Sequence, residues 1–123
     1  MKFFGAMAFI GVLAAGPVHA DCTYPTAPAK LPDGASATLD EMLAGQKMVK
    51  DYDTAIKAYV ECIDKELDQK IAKQGDQLKP EQKADLQKVE AQKHNAAIDQ
   101  LQSVADRFNE QVKVFKARTD KKG

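Results

Sequence analysis

Residues 38–71 have the sequence TLDEMLAGQKMVKDYDTAIKAYVECIDKELDQKI, and this stretch decides the fold. Apolar side chains recur in it at helical spacing, which keeps one face of an α-helix apolar. Thr38 and Glu41 form a capping-box pattern that starts a helix, and Gly75 suits a helix end. The stretch therefore predicts one long helix with a buried stripe of Leu39, Met42, Val49, Tyr52, Ile56, Tyr59, Ile63, Leu67 and Ile71.

A second helical stripe follows Pro80, a residue tolerated at the first helical position because its missing N–H has no partner there. Its members recur about every 3.6 residues, the period of a straight α-helix. The short link between the two helices favours an antiparallel hairpin over residues 38–118, with a disordered tail at 119–123. The second stripe consists of Leu86, Val89, Lys93, Ala97, Leu101, Val104, Phe108, Val112 and Phe115.

Two polar features lie on the second helix. Lys93 interrupts the apolar stripe, and we expect it to pair with Glu61 or Asp64 of the first helix and so to set the register. His94 follows Glu90 by four residues, so the two side chains share a face and could begin a metal site. The interpretation we favour is a surface histidine beside an acidic neighbour, so no metal ligand is predicted.

The chain starts with a signal-peptide pattern. Lys2 precedes an apolar run over residues 3–16, and Val18 and Ala20 provide a small-residue cleavage site. The run is too short for a transmembrane helix, which needs about 20 apolar residues. We therefore expect residues 1–20 to be removed, the mature chain to have no membrane span, and the protein to be periplasmic or secreted.

Residues 21–37, here called the leader, contain Pro25, Pro28 and Pro32. Their spacing discourages helix and favours an extended, polyproline-like segment, with a disordered leader as the alternative. The first helix has a second, narrower stripe of mostly small side chains, against which the leader could lie. This second stripe consists of Ala44, Met48, Ala55, Ala58 and Cys62.

Cys22 and Cys62 are the only two cysteines, and in an oxidising compartment they predict a disulfide between the leader and the first helix. Redox pairs usually lie closer together in sequence, and a zinc site needs more ligands than this chain offers. The bond would close a loop of about 40 residues, for which chain entropy gives a stabilisation of about 4 kcal/mol.

The composition limits the classes of function. The 18 basic residues balance the 18 acidic residues, so net charge attracts neither nucleic acid nor an anionic membrane. Ser36 and Ser103 are the only serines, and no nucleophile-and-base constellation or glycine-rich phosphate loop is present in the sequence. We therefore expect a protein that is not an enzyme, with no catalytic residue and no cofactor.

Four short motifs lie on the predicted helices: DEM at residues 40–42, Tyr59-x-x-Cys62, HNAA at residues 94–97 and FNEQVKVFK at residues 108–116. Together they resemble a group of small exported proteobacterial helical proteins with one cysteine pair and uncharacterised function. This resemblance covers most of the chain after the signal peptide. It implies a bacterial, exported, helical protein and supplies no activity or site residue.

A looser similarity concerns residues 78–82, which have the sequence LKPEQ. They are similar to the Leu-Thr-Pro-x-Gln helix start of small periplasmic helical chaperones, with Lys79 in place of the hydroxyl residue that would cap the helix. A plain helix start is the alternative interpretation, because Pro-Glu-Gln begins helices well.

These observations predict an all-α protein, a long antiparallel two-helix hairpin with a proline-rich extended N-terminal segment attached by a disulfide. Two stripes make a small core for about 100 residues, which favours a protein partner or self-association as a homodimer. The function we expect is that of a non-catalytic exported envelope protein with a structural or protein-interaction role. A chaperone-like binder of unfolded clients is the alternative, and a metal-binding protein is a minor third.

Overall fold

The computed structural model describes residues 22–121, and within them it contains two long helices and no strand. The first helix, α1, spans Leu39–Gln74, a 3-10 turn spans Gly75–Gln77, and the second helix, α2, spans Pro80–Asp120. The helices pack against each other. A disulfide attaches the leader to α1. The predicted all-α hairpin is therefore confirmed, while the predicted signal peptide at 1–20 lies outside the described residues.

The boundaries of α1 follow from its two terminal residues. The Glu41 N–H donates to Thr38 Oγ1 at 3.2 Å, and the Thr38 N–H donates to Glu41 Oε2 at 2.7 Å. This reciprocal pair is the predicted capping box. At the other end Gly75 has a φ of 47°, and its N–H donates to the Ile71 carbonyl. Only glycine adopts a positive φ without a steric cost, so the helix ends there.

The boundaries of α2 depend on different groups. No hydroxyl caps its first turn, but the Lys79 N–H donates to Gln82 Oε1 at 3.0 Å, which satisfies one terminal donor. The sequence predicts an end near residue 118, whereas the helix continues to Asp120. Thr119 extends the last turn, because its Oγ1 donates to the Phe115 carbonyl at 3.1 Å.

The core lies in the half of the hairpin away from the turn, as the two stripes predict. Ile56 and Val104 are fully buried at its centre, with Tyr52 and Ala97 beside them. A second buried cluster, formed by Ala37, Met42 and Phe108, closes the far end of the hairpin. In the half near the turn, Ile63 is buried, and the packing of the hairpin thins out from there.

Two predicted core residues are exposed instead. Leu39 is 60% exposed and Val89 is 49% exposed. At about 100° of rotation per residue, Leu39 lies about 100° round α1 from Ile56, and Val89 lies about 80° round α2 from Ala97. Both side chains therefore point away from the contact between the helices, although their spacing from the next stripe residue is helical.

The leader lies in the seam between the two helices. Cys22 is bonded to Cys62, with 5.7 Å between their Cα atoms. From there Ala27 packs on the central core cluster and Leu31 on the cluster at the far end. The leader then turns at residues 34–36, where the Asp33 carbonyl accepts from two following N–H groups. The predicted disulfide attachment is present, and residues 22–37 of the leader have neither helix nor strand.

The leader contacts part of the predicted small-residue stripe of α1, at Cys62, Ala44 and Met48, but it lies deeper, in the seam with α2. Ala44 and Ala58 of that stripe are exposed, and the leader also contacts α2. The Gly34 N–H donates to Gln111 Oε1 at 2.9 Å. A seam between two helices offers apolar atoms on both sides, so it buries more of the leader than one helix face would.

Two glycines allow this close approach. A Cβ on Gly34 would overlap the carbonyl oxygen of Gln111 and lie 2.8 Å from the Phe115 nitrogen. A Cβ on Gly45 would lie 2.6 Å from Pro32 Cδ and 2.9 Å from Phe108 Cε2. The leader thus meets both helices at positions where any larger side chain would push it away.

Candidate functional site

The hairpin has two faces, and the leader occupies one of them. We call that side the leader face and the opposite side the open face. The open face has a groove of about 450 Å³ between the helices, which no other described segment fills. Its lining is mostly apolar on α2 and mixed on α1. The lining residues are Val49, Lys50, Asp53, Ile98, Leu101, Gln102 and Ala105.

Local helix geometry explains why apolar side chains reach the open face. Ala97 is fully buried against α1, and Ile98 is turned by about 100° from it towards the open face. Ile98 is consequently 37% exposed. Leu43 follows the buried Met42 in the same way on α1 and is exposed. The groove is therefore built from residues that flank the core stripes.

Charged residues on the α1 side of the open face change sign along the hairpin. Away from the turn, Lys50 and Asp53 line the groove, and Asp53 pairs with Lys57 at 2.8 Å. Nearer the turn come Asp64 and Asp68, both of which act electrostatically on Glu90. Away from the turn this face thus carries Lys50 and the Lys57–Asp53 pair, and nearer the turn it carries two aspartates.

A carboxyl pair crosses from α1 to α2 near the turn. The hydrogen bond with Asp64 is the largest cause that raises the pKa of Glu90, followed by burial and by the charge of Asp64. Glu90 Oε1 is buried, and no donor reaches it. Two ionised carboxylates can only accept hydrogen bonds and repel each other, so the neighbouring Asp64 raises the pKa of Glu90.

The structure corrects the prediction about Lys93. Glu90, not Lys93, faces Asp64, because Glu90 lies only about 20° from Ala97 around the helix axis. Lys93 is exposed on the other side of the seam, where it lines a small cavity of about 50 Å³ with Glu66. The register of the hairpin is therefore set by apolar packing together with a carboxyl pair.

Glu90 and His94 are brought together as their spacing predicts, and the charge of His94 acts to lower the pKa of Glu90. The described part of the chain, however, holds no group of three or more histidine, cysteine, aspartate or glutamate side chains arranged to bind a metal ion. The minor metal hypothesis on these two residues has no geometric support.

The disulfide region is packed by aromatic rings. Tyr24 of the leader stacks edge-on against Tyr59 of α1, with ring centroids 5.0 Å apart and an interplanar angle of 72°. Burial raises the pKa of Tyr52, and the neighbouring Tyr24 raises it further. Rings that hold the segment around Cys22 against α1 give the bond a structural role, and residues 22–121 contain no free cysteine.

Sequence reasoning missed the open face. Ile98 and Leu43 each follow a residue of a predicted stripe, and the stripes do not include them. An apolar residue directly after a stripe residue widens the apolar face by about 100°, and that was the available signal. Which face the leader would leave uncovered depended on its path, and the composition of the leader does not determine that path.

None of the helices in residues 22–121 has an apolar stretch that could cross a membrane. Comparison with known proteins finds no matching family model, no curated relative and no similar solved structure. The function of this chain is therefore inferred from its own residues.

Proposed function

We propose that this protein is a non-catalytic exported envelope protein that acts by binding a protein partner along the open face of its hairpin. The observation that carries this proposal is the apolar groove formed by Val49, Ile98, Leu101 and Ala105. Apolar grooves with a charged margin are typical of surfaces that receive another protein.

The leader supports this proposal, because it shows that an apolar seam between these two helices can bury another segment. On the leader face, Ala27 and Leu31 insert into the seam and bury it. On the open face, the helices present a second seam of similar character with Ile98 exposed. A rigid hairpin that seals one seam with its own chain leaves the other available to a partner.

Export is part of the proposal. The signal-peptide pattern at residues 1–20 and a disulfide between Cys22 and Cys62 both fit an oxidising compartment, so we place the protein in the periplasm or outside the cell. The proposed relationship to small exported proteobacterial helical proteins agrees with this location.

A non-catalytic role is supported by where the perturbed groups lie. The side chains with raised pKa values are Tyr52, Tyr59 and Glu90, and in each case burial or a neighbouring group in the hairpin contributes to the shift. Ser36 and Ser103 are exposed on a turn and a helix surface. These contacts account for the perturbed groups as packing between helices and leader.

The test is site-specific photo-cross-linking in cells that export the protein. Ile98 on the open face and Met48 on the leader face are both 37% exposed, so they form a matched pair. A photo-reactive phenylalanine analogue at position 98 should give a discrete protein adduct in the periplasmic or secreted fraction, and the same analogue at position 48 should not. Equal adducts from both positions, or none from position 98, would contradict the proposal.

A chaperone-like binder of unfolded clients is the second candidate. The observation in its favour is the exposure of Leu39 and Leu43 beyond the end of the groove, which adds apolar surface to the open face. A denatured client protein should then aggregate less in the presence of the wild-type protein, and Ile98→Glu should weaken this effect. Full aggregation at a molar excess of wild-type protein would eliminate this candidate.

A further inference from the structure

The open face has features of a surface that recognises itself. We infer that its partner is a second copy of this chain, packed in the opposite direction so that two hairpins form a four-helix bundle. This inference rests on the proposed function and names the partner of the same surface. It follows from charge order, surface length and the position of the apolar groove.

The order of charged residues along α1 decides the relative direction of the two copies. Lys50 and Asp64 are 64 − 50 = 14 residues apart on α1, or about 21 Å along the helix. They flank Lys57, which lies midway between them. A two-fold axis passing near Lys57 brings Lys50 of each copy to Asp64 of the other copy, twice per dimer. Each Lys57 at the axis is paired with its own Asp53. In a parallel two-fold arrangement, α1 of each copy would lie over α2 of the other copy, so these Lys50–Asp64 contacts would not form.

The apolar groove lies next to this axis. Ile98 and Leu101 line the groove beside the middle of α1, and Val60 packs on the central core from the same side of α1. In the antiparallel dimer, the groove of one copy faces the Val60 region of the other. The contact thus has an apolar centre flanked by complementary charges, the usual arrangement of a stable interface.

The surface is also long enough for such a partner. A stable interface buries about 800 Å² on each partner. Two helices of about 36 residues are about 54 Å long and, side by side at about 10 Å spacing, present about 1,000 Å² on one face. Reaching the required area takes a partner that follows the hairpin for most of its length. A second hairpin does this, whereas a short peptide would occupy only the groove of about 450 Å³.

The first experiment is sedimentation equilibrium of the oxidised protein over a wide concentration range. We expect a dimer whose dissociation constant rises at least tenfold in Ile98→Glu and stays unchanged in Met48→Glu, since both positions are 37% exposed but lie on opposite faces. Circular dichroism checks that each variant remains helical. A protein that is monomeric at every concentration, or a dimer insensitive to Ile98→Glu, would overturn the inference.

The second experiment tests direction. Lys50→Glu alone should weaken the dimer, and adding Asp64→Lys to it should restore the dimer, because the exchanged charges again face each other.

Cross-linking supplies an independent readout of the same geometry. A cysteine introduced by Lys57→Cys should cross-link to its copy through a short bismaleimide. Lys47→Cys should not, because position 47 lies about 180° from Ile56, on the outer side of α1. Lys47 is a close control, since each lysine pairs with an aspartate four residues away and both are well exposed. Equal cross-linking from the two positions would overturn the antiparallel arrangement.

Failure of this inference is distinguishable from failure of the proposed function. A monomer that gives a position-98 adduct with a different protein refutes self-association and leaves the interaction role intact. A monomer with no position-98 adduct refutes both. A dimer whose position-98 adduct has the mass of two chains supports both.

Discussion

The leader face and the open face are formed by the same two helices, yet they differ in what covers them. On the leader face, a tethered segment seals the seam, and two glycines allow it to approach closely. On the open face, a seam of comparable apolar character remains exposed at Ile98. A two-helix hairpin has two seams to bury, and residues 22–121 supply a cover for only one of them.

The largest expected effect comes from removing the tether of the leader face. Replacing both cysteines, by Cys22→Ser together with Cys62→Ser, should lower the free energy of unfolding by about 4 kcal/mol, because the unfolded chain regains the freedom of a 40-residue loop. Urea unfolding of the oxidised wild type and the double variant measures this.

The same variant also sharpens the comparison of faces. The leader face should become accessible to protease between Tyr24 and Leu31, while the open face keeps its helical structure. A variant with unchanged stability and an uncut leader would mean that packing alone holds the leader, and the contrast between a tethered and an open face would lose its basis.

The next largest effect on stability is expected from one added methyl group. Gly34→Ala should destabilise the protein by about 2 kcal/mol, because its Cβ collides with the backbone of α2 at Gln111 and Phe115. Ser36→Thr, which adds a methyl at an exposed position of the same turn, serves as control and should change stability by less than about 0.5 kcal/mol. Thermal unfolding of both variants shows whether close approach at Gly34 keeps the leader seated.

A smaller effect concerns pH and the carboxyl pair near the turn. The pKa of Glu90 in the folded protein is raised above its ordinary value of 4.5, chiefly by the hydrogen bond with Asp64. Its contribution to stability is therefore complete below that ordinary pKa and is lost as the pH rises through the raised one. Asp68, like Asp64, strengthens this upward shift, and the charge of His94 opposes it.

Glu90→Gln tests this pH dependence, because an amide N–H₂ can donate to Asp64 at any pH. The wild type should lose stability relative to this variant as the pH rises above 4.5, the ordinary pKa of Glu90. Glu110→Gln, at an exposed position, serves as control. Parallel stability profiles for the wild type and Glu90→Gln would show that Glu90 does not hold the proton.

The smallest effect is expected for an exposed ion pair beside the open face. Lys57→Ala removes the 2.8 Å contact with Asp53 and should cost the monomer only about 0.3 kcal/mol, because both side chains are substantially solvated. Chemical denaturation at low protein concentration measures the monomer alone. A loss above about 1 kcal/mol would show that this pair does more than an ordinary surface contact.

Much of the fold could be predicted because the signals for the helix ends and the cysteine pair all indicate the same hairpin. The capping box at Thr38 and Glu41 and the stop at Gly75 set both ends of α1 correctly. The cysteine pair correctly predicted the attachment of the leader. These features depend on residues close in sequence or on a covalent bond, so no knowledge of the packing was needed.

The open groove and the polar contacts between the helices could not be predicted, because they depend on how one helix is rotated about its axis relative to the other. A difference of about 60° around α2 separates Glu90, which meets Asp64, from Lys93, which does not. The exposure of Ile98 could not be predicted either, because it follows from the side on which the leader lies.

The contacts that seat the leader join positions far apart in the chain. Gly34 meets Gln111, which is 77 residues later, and the carbonyl of Ala37 accepts from Arg118, which is 81 residues later. As the chain enters the oxidising compartment, Cys22 can therefore meet Cys62 well before the seam exists, and the leader can settle only when the last turns of α2 have arrived. A chain truncated ahead of those turns would carry a tethered but unseated leader, so completion of the C-terminus is what closes the molecule.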